Sequence, residues 1–559
     1  MNDLHKHRAL VWGLFAAFAL VSLYMLGVRT LVPPDEGRYA EMAREMFASG
    51  DWVTTRLNGI KYFEKPPLQT WMNALSFTLF GLGEWQARLW TGLCGIGGVF
   101  ITAYAGTRVF NARIGFYAGL VLGSCFYWVA CSQIDSLDMG LSGMMTIVLC
   151  ALLLAQRDGA SAAQNRNWML VCWAAMALSV LSKGLIGLML PGGILVAYTI
   201  VTLQWRLWTR LHLVKGLLLF LLVAAPWFIL VGMRNPEQPA FFFIHEHWDR
   251  FFKTEHHREQ VWYVFFVLTA VGMVPWLGML VQSLLLGAKR APGVDKGAFR
   301  PRLMLLVWTA FIILFFTKSN SKLPGYILPV FPALALLTAL CLDAGSRFSR
   351  LLTAGLMALV GAALLVAVPF MPGMSGRASE VVLYQGYQPW VAVAGLVALA
   401  GGVFALVVAR RQDANLRRDL FVVVLAIAGF ATTQIMLAGF EPIGRARAGA
   451  GMLPAIQAEL TPDTTIYAVG IYEQSMTFYL RRTVTLVAYT DEFSFGLQQQ
   501  PDLAIPDIGV FAARWRADAA AGKRDLAFMS EDIYKSLQAQ GLTMRVVARD
   551  ERRIVVANH

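Results

Sequence analysis

Apolar runs of about 20 residues recur along this 559-residue chain from residue 8 to residue 438. Each is long enough to cross a bilayer as a helix. That feature leaves few folds open, because in lipid every backbone polar group must be satisfied within the protein, and only helices and closed barrels achieve this. About thirteen spans are expected, near 8–28, 89–107, 114–131, 139–155, 167–182, 184–203, 216–233, 261–287, 303–317, 326–342, 351–370, 389–408 and 420–438. Composition agrees: 57% of residues are apolar and 15% charged, against about 25% charged in soluble domains. A soluble enzyme, a disordered chain and a fibre are excluded. The run 68–82 is only about 15 residues long and contains Asn73, so it is read as interfacial or re-entrant. The first run follows Lys6 and Arg8 but lacks a small-residue cleavage site, and is read as an uncleaved first helix.

A net charge of +13 raises nucleic acid as a partner, and its placement argues against one. With thirteen spans, one set of loops carries about 20 basic and 6 acidic residues, the opposite loops about 15 of each, and the tail about 13 and 14. The whole excess lies on one face, which the positive-inside rule makes cytoplasmic. Counting 68–82 as a span would scatter this bias. The outward segments are then about 29–88, 132–138, 233–260, 318–325 and 371–388, with the tail from about 439. Any chemistry belongs on that outer face. No charge falls mid-span on this partition, which disfavours a transporter, since transporters usually carry ionisable groups on their pathways. The six cysteines lie in or beside apolar spans, with no disulfide framework and no zinc spacing.

The first outward loop reads RTLVPPDEGRYAEMAREMFASGDWVTTRLNGIKYFEKPPLQTW. Pro33-Pro34 cannot continue the first helix. Asp35 can begin a new one that Gly50 ends, with Tyr39, Met42, Met46 and Phe47 on one face and Arg38 and Arg44 toward lipid headgroups. Asp35 is either an N-cap or an acidic catalytic group. Glu64 and Lys65 form a surface pair, or else Lys65, held near the membrane before Pro66-Pro67, meets a lipid phosphate. Asp138 admits the same two readings as Asp35. The stretch FFFIHEHWDRFFKTEHHREQVWYV holds His245, His247, His256 and His257. With Glu246 and Glu64 these could bind a divalent metal such as zinc, or they are interfacial histidines. Arg250, among aromatics, suits a phosphate clamp because its fork pairs two oxygens. In TKSNSKLPGYILP, Lys318, Lys322 and Tyr326 are either snorkelling groups or an anion site. No phosphate-binding glycine loop or dinucleotide fingerprint occurs, so no nucleotide cofactor is expected. An outward-facing transfer reaction then needs an activated donor that arrives through the membrane.

The blocks PPDEGRYAEMAREMFASGDWVTTRLNGIKYFEKPPLQTWMNAL, HWDRF, HHR and SKLPGYILP resemble the 4-amino-4-deoxy-L-arabinose lipid A transferases, polyprenyl-phosphate-sugar glycosyltransferases of the GT-C type. The resemblance spans the chain. It implies an all-α polytopic membrane domain of about 13 helices over residues 1–438, with catalytic outer loops, and a periplasmic α/β domain over 439–559. It implies an undecaprenyl phosphate-linked aminosugar donor, a lipid A phosphate acceptor, action as a monomer in the bacterial inner membrane with the site facing the periplasm, and resistance to polymyxin and cationic peptides. The family's catalytic aspartates match Asp35 and Asp138. Its lipid-phosphate groups match Lys65, Arg250 and Tyr326, with Arg38, Tyr39 and Tyr62 lining the site. A metal of some members falls on Glu64 and His245. The segment after HHR reads EQVWYV rather than the family's usual APFWYY. A transferase with another sugar or a protein acceptor is the nearest alternative, and a lipid transporter the alternative of another class.

In the tail, TTIYAVG, TVTLVAY, IGVFAA, TMRVVARD and RRIVVAN read as strands. EQSMTFYLRR and EDIYKSLQAQG read as helices, the latter stopped by Gly541. The tail shows no nucleophile or metal spacing and is read as a structural or acceptor-docking module.

Overall fold

The computed structural model describes residues 8–242, 260–289, 298–411 and 415–559. Every expected span falls largely on helix, but 114–131 is two helices, Ala112–Leu122 and Phe126–Cys131, rather than one. Among the described residues eight helices are long and apolar enough to cross a membrane: Glu84–Val109, Leu137–Gln156, Leu213–Arg234, Pro301–Lys318, Pro324–Ala344, Arg347–Met374, Glu380–Arg410 and Asn415–Gly439. Three further apolar helices are shorter (Ala9–Met25, Ala112–Leu122 and Ile186–Thr202), and Ala162–Lys183 completes the set. The expected single span 261–287 is instead two helices, Val264–Gly272 and Leu277–Ala288, bent by 115°. Pro275 lies at the break, where its ring and missing N–H end a helix. Residues 68–82 form the 13-residue helix Leu68–Phe80, too short to span.

Leu137–Gln156 and Pro324–Ala344 have most of their residues buried and form the centre of the bundle, whereas Leu213–Arg234 and Arg347–Met374 have few buried and are peripheral. The basic loops converge at one end. Arg113 pairs with Asp419, Arg418 donates to the Asp343 carbonyl, and Arg347 donates to the Arg410 carbonyl. The helix Glu84–Val109 runs from that end to Arg88, whose guanidinium reaches the Leu26 and Thr30 carbonyls. At about 1.5 Å per residue, its 26 residues set the two ends roughly 39 Å apart.

The first loop holds the helix Asp35–Ser49, closed by Gly50 at φ 70, and a two-stranded hairpin, β1 (Arg56–Leu57) and β2 (Ile60–Lys61). Asn58 and Gly59 turn the hairpin with φ 54 and 75, the geometry an Asn-Gly turn favours. The tail forms a six-stranded sheet of β3 (Thr465–Val469), β4 (Thr485–Val487), β5 (Ala504–Ile505), β6 (Asp525–Met529), β7 (Arg545–Arg549) and β8 (Ile554–Ala557). Its order is β5-β4-β3-β6-β8-β7. The strands β3, β4, β5 and β6 pair in parallel, and β8 pairs antiparallel with β6 and β7. IGVFAA is not a strand but opens the helix Ile508–Ala520, because Asp507 caps it by accepting from Val510 N. Phe511, Ala512 and Trp515 then recur at helical spacing on its buried side. All five residues of the strand β6 are buried, so it shows no alternation, and its sequence DLAFM lacks the β-branched residues that mark the equally buried β8, IVVA.

Alternation along β3 explains how the tail meets the membrane part. Tyr467 and Val469 face the helices Ile508–Ala520 and Glu531–Ala539, sharing a core with Phe511, Trp515 and Leu537. Ile466 and Ala468 face the other way, into one apolar cluster with Tyr39, Met42, Leu57, Ile60, Tyr62 and Leu137. The first loop is therefore the layer that covers the sheet's second face.

Candidate active site

Glu36 sets the start of the loop helix. Its buried carboxylate accepts from Arg88 Nε at 2.6 Å and Nη2 at 2.9 Å, and also from Val32 N and Asp135 N. Both partners are almost wholly buried. A paired, hydrogen-bonded ion of this kind is strongly destabilised if one partner is removed. Glu36 also ties the first loop to the second, since Asp135 precedes the helix that carries Asp138. Burial opposes ionisation of Glu36, but the charge and hydrogen bonds of Arg88 outweigh it and hold the carboxyl below its ordinary 4.5. Asp135 is accepted into a nest of amides, Gln69 Nε2 at 2.7 Å and Asn73 Nδ2 at 2.9 Å. Burial pushes its carboxyl well up.

On this frame Asp35, Arg38, Tyr39, Glu64, Lys65, Asp138 and Tyr326 line one cavity of about 400 Å³. Pro34 holds the N-cap position, with no side-chain cap bond, so Asp35 is not the cap. Its carboxylate is half exposed and meets Arg38 Nη1 at 2.9 Å. Asp138 is likewise not a cap: Ser136 holds that position. The Asp138 carboxylate instead pairs with Lys183. Lys183 ends its helix, just before Gly184, and its ammonium stands 4.7 Å above the Tyr326 ring. The ring packs against Phe316, tilted by 36° with centroids 4.9 Å apart. Lys65 Nζ donates to the Glu64 carbonyl at 2.7 Å and lies 3.9 Å from its carboxylate. Burial, reinforced by Asp35, Glu64 and Asp138, raises the Tyr39 phenol well above 10, so it remains a neutral donor.

Tyr62 is buried behind this wall, and burial with the Glu64 charge also raises its phenol. Lys322 shares the loop of Ser319, Ser321 and Leu323 but does not line the cavity. Arg250 and His245 lie outside the described residues. Arg44 does not point to headgroups: it is buried with Glu41, Nε to Oε2 at 2.6 Å, where the tail, with Tyr472, covers the helix. Lys183 and Glu492 were not singled out from sequence. Lys183 occupies a one-residue gap between two expected spans, and a lone cation there is the sequence signal. No local signal marks Glu492, which meets Arg38 at 2.6 Å across 454 residues. Among the described residues no three His, Cys, Asp or Glu side chains converge as metal ligands. Glu64 supplies one such group.

Residues 452–558 match the profile of the aminoarabinose transferase C-terminal domain, and residues 64–230 match that of the dolichyl-phosphate-mannose-protein mannosyltransferases. An undecaprenyl phosphate-alpha-4-amino-4-deoxy-L-arabinose arabinosyl transferase from Serratia proteamaculans is 31% identical over 428 residues, 72% of each chain. The crystal structure of ArnT from Cupriavidus metallidurans bound to undecaprenyl phosphate shares 42% identity and a TM-score of 0.90, covering 98% of this chain and 97% of that one. The chain belongs to the aminoarabinose transferase family. A second relative in that family, from Erwinia tasmaniensis, is 30% identical over 351 residues, which span 60% of this chain and 59% of the relative's length. The membrane bundle with a sheet-bearing outer unit is thus the architecture of the aminoarabinose transferases, a fold with the GT-C arrangement of helices.

Proposed function

We propose that this chain is a membrane glycosyltransferase that moves 4-amino-4-deoxy-L-arabinose from undecaprenyl phosphate to a phosphate of lipid A. It acts as a single chain in the bacterial inner membrane, with its cavity toward the periplasm. Residues 1–438 make the catalytic unit and 439–559 the outer unit that covers its first loop. The observation that carries the reading is the cavity, where the carboxylates of Asp35, Glu64 and Asp138 and the cations Arg38, Lys65 and Lys183 meet at the end of the bundle opposite the basic loops. Membership of the aminoarabinose transferase family supplies the sugar and the carrier.

In the reaction an acceptor phosphate oxygen attacks the anomeric carbon as the carbon–oxygen bond to undecaprenyl phosphate breaks. Both bonding electrons leave with the carrier phosphate. Lys65, with Arg250, neutralises the charge growing there, the kind of preorganised stabilisation worth about 3–4 kcal/mol per group. The acceptor is already an anion, since phosphate monoesters lose their second proton near pH 6, and no general base is needed. Asp35, half exposed to the cavity, orients the sugar or its ammonium and stabilises positive charge at the ring. Asp138, fixed by Lys183, does the same from the first turn of its helix. Glu64 and His245 are proposed to hold a divalent metal, which would add positive charge beside the carrier phosphate. Loss of activity on chelation and recovery with zinc is the expected result.

Lipid A from cells with and without the gene is expected to differ in mass by one aminopentose per modified phosphate, with resistance to polymyxin following the loss of surface negative charge. Asp35→Asn and Lys65→Ala are each expected to lower turnover by about 100-fold. Near-normal transfer by both variants at matched expression rejects the site, and a modified glycoprotein with unmodified lipid A assigns a different acceptor.

A further inference from the structure

Glu492 comes from the outer unit yet reaches the edge of the cavity. It sits in the tight turn Asp491–Phe493, where Asp491 takes φ 26, a region that costs energy for a side-chain-bearing residue. The turn is pinned by Phe493, which is fully buried edge-on to Tyr472 at 4.8 Å, in the apolar cluster that also contains Tyr39, Tyr62 and Leu137. The Glu492 carboxylate, 8% exposed, accepts from Arg38 Nε at 2.6 Å and from Gln474 Nε2 at 2.7 Å. Glu492 is not part of the cavity wall, whereas Arg38 is.

Arg38 is therefore held at two points, Nε on Glu492 and Nη1 on Asp35 at 2.9 Å. A guanidinium is rigid and planar, so two anchors on separate elements fix both its position and its plane. Among the described residues Arg38 is the hydrogen-bond partner of the Asp35 carboxylate. Without the first anchor the flexible arginine stem would carry the second with it.

We propose that Glu492 is a positioning residue for sugar transfer: it holds Arg38 and, through Arg38, orients the Asp35 carboxylate in the cavity. The outer unit thereby completes the reacting site across a chain separation of more than 400 residues. This inference rests on the transfer activity proposed above.

The test compares Glu492→Gln, Arg38→Gln and the double variant, as full-length purified protein, with the undecaprenyl phosphate-linked aminosugar and lipid A as substrates. Glu492→Gln is expected to lower kcat about 10- to 100-fold, the range for losing a hydrogen bond to a charged group, with donor KM moving less than about threefold. Glu492→Asp is expected to recover part of the rate. In the Arg38→Gln background the Glu492→Gln loss is expected to vanish, the non-additivity of residues that act as a unit. Wild-type kcat in Glu492→Gln, or an equal loss in both backgrounds, overturns the inference. Should Glu492→Gln fail to fold, Gln474→Leu frees the same carboxylate. A kcat lowered about three- to tenfold in an Arg38-dependent way supports the inference, and an unchanged kcat overturns it. If the wild-type protein transfers no aminosugar, the proposed function falls instead. The Arg38–Glu492 coupling is then read from affinity for undecaprenyl phosphate in the same four proteins, and additive effects there overturn it.

Discussion

Asp138 keeps its place because residue 325 has no side chain. A Cβ built on Gly325 would lie 2.3 Å from Asp138 Oδ2, with the Lys183 ion pair and the Tyr326 ring immediately behind. Gly325→Ala therefore has to push the carboxylate off its lysine. We expect turnover to fall by at least about tenfold, on the scale of small misplacements at reacting groups, while the unfolding temperature changes little. A thermal scan beside the transfer assay separates the two effects. The Glu36–Arg88 pair makes the opposite prediction. Arg88→Leu strands a buried carboxylate, and about 3–5 kcal/mol of stability is expected to go with it, visible as a lower unfolding temperature in detergent. Because Arg88 depresses the Glu36 pKa below 4.5, its contribution is present above that value and is lost as pH falls through the folded-state pKa.

At the scale of elements, the loop helix Asp35–Ser49 carries a second titrating group with the reverse sign. Burial, then repulsion from Glu41, pushes the Glu45 carboxyl up to about 8, although its Oε2 accepts from Gly59 N at 2.8 Å. A carboxyl with a raised folded-state pKa favours folding in its protonated form. Its contribution is complete below the ordinary 4.5 and is lost as pH rises through about 8. The unfolding temperature is expected to decline between pH 6 and pH 9, and Glu45→Gln to flatten that decline. A wild-type profile level across this range would show that Glu45 titrates normally. The same helix meets the tail at Gly37, where an added Cβ would fall 2.4 Å from Ser475 N. Gly37→Ala is expected to cost about 1–3 kcal/mol, as overpacking does.

For the whole molecule, the basic loops gather at one end and the cavity and sheet at the other, and the proposed function puts the cavity end in the periplasm. The six native cysteines are buried or half-buried and unpaired, so an introduced thiol can be read against a low background. Lys523→Cys, at a site 65% exposed on the outer unit, is expected to react with an impermeant maleimide added from the periplasmic side. Arg411→Cys is expected to react only after the membrane is opened. The reverse pattern would invert the topology and remove the site from its substrates.

The sequence by itself determined that the chain is a bundle of apolar helices with a strand-bearing tail, and the order of its apolar segments. Hydropathy length, charge bias and periodicity are local properties that a chain displays before it folds. It also displayed Asp35, Glu64, Lys65 and Asp138, because they are charged groups lying between apolar runs, in the long first outward segment and at the start of a later span. The Asn58-Gly59 hairpin is equally legible in local turn chemistry. What only the tertiary structure decided is partnership. Glu36 chose an arginine 52 residues away, Asp138 a lysine 45 residues away, and Arg38 a glutamate from the far end of the chain. The central strand β6 and the capped helix Ile508–Ala520 were settled in the same way, by burial on both faces and by a single capping carboxylate. Such choices depend on which buried charges must be neutralised once the layers close, and that is known only when the neighbours are in place.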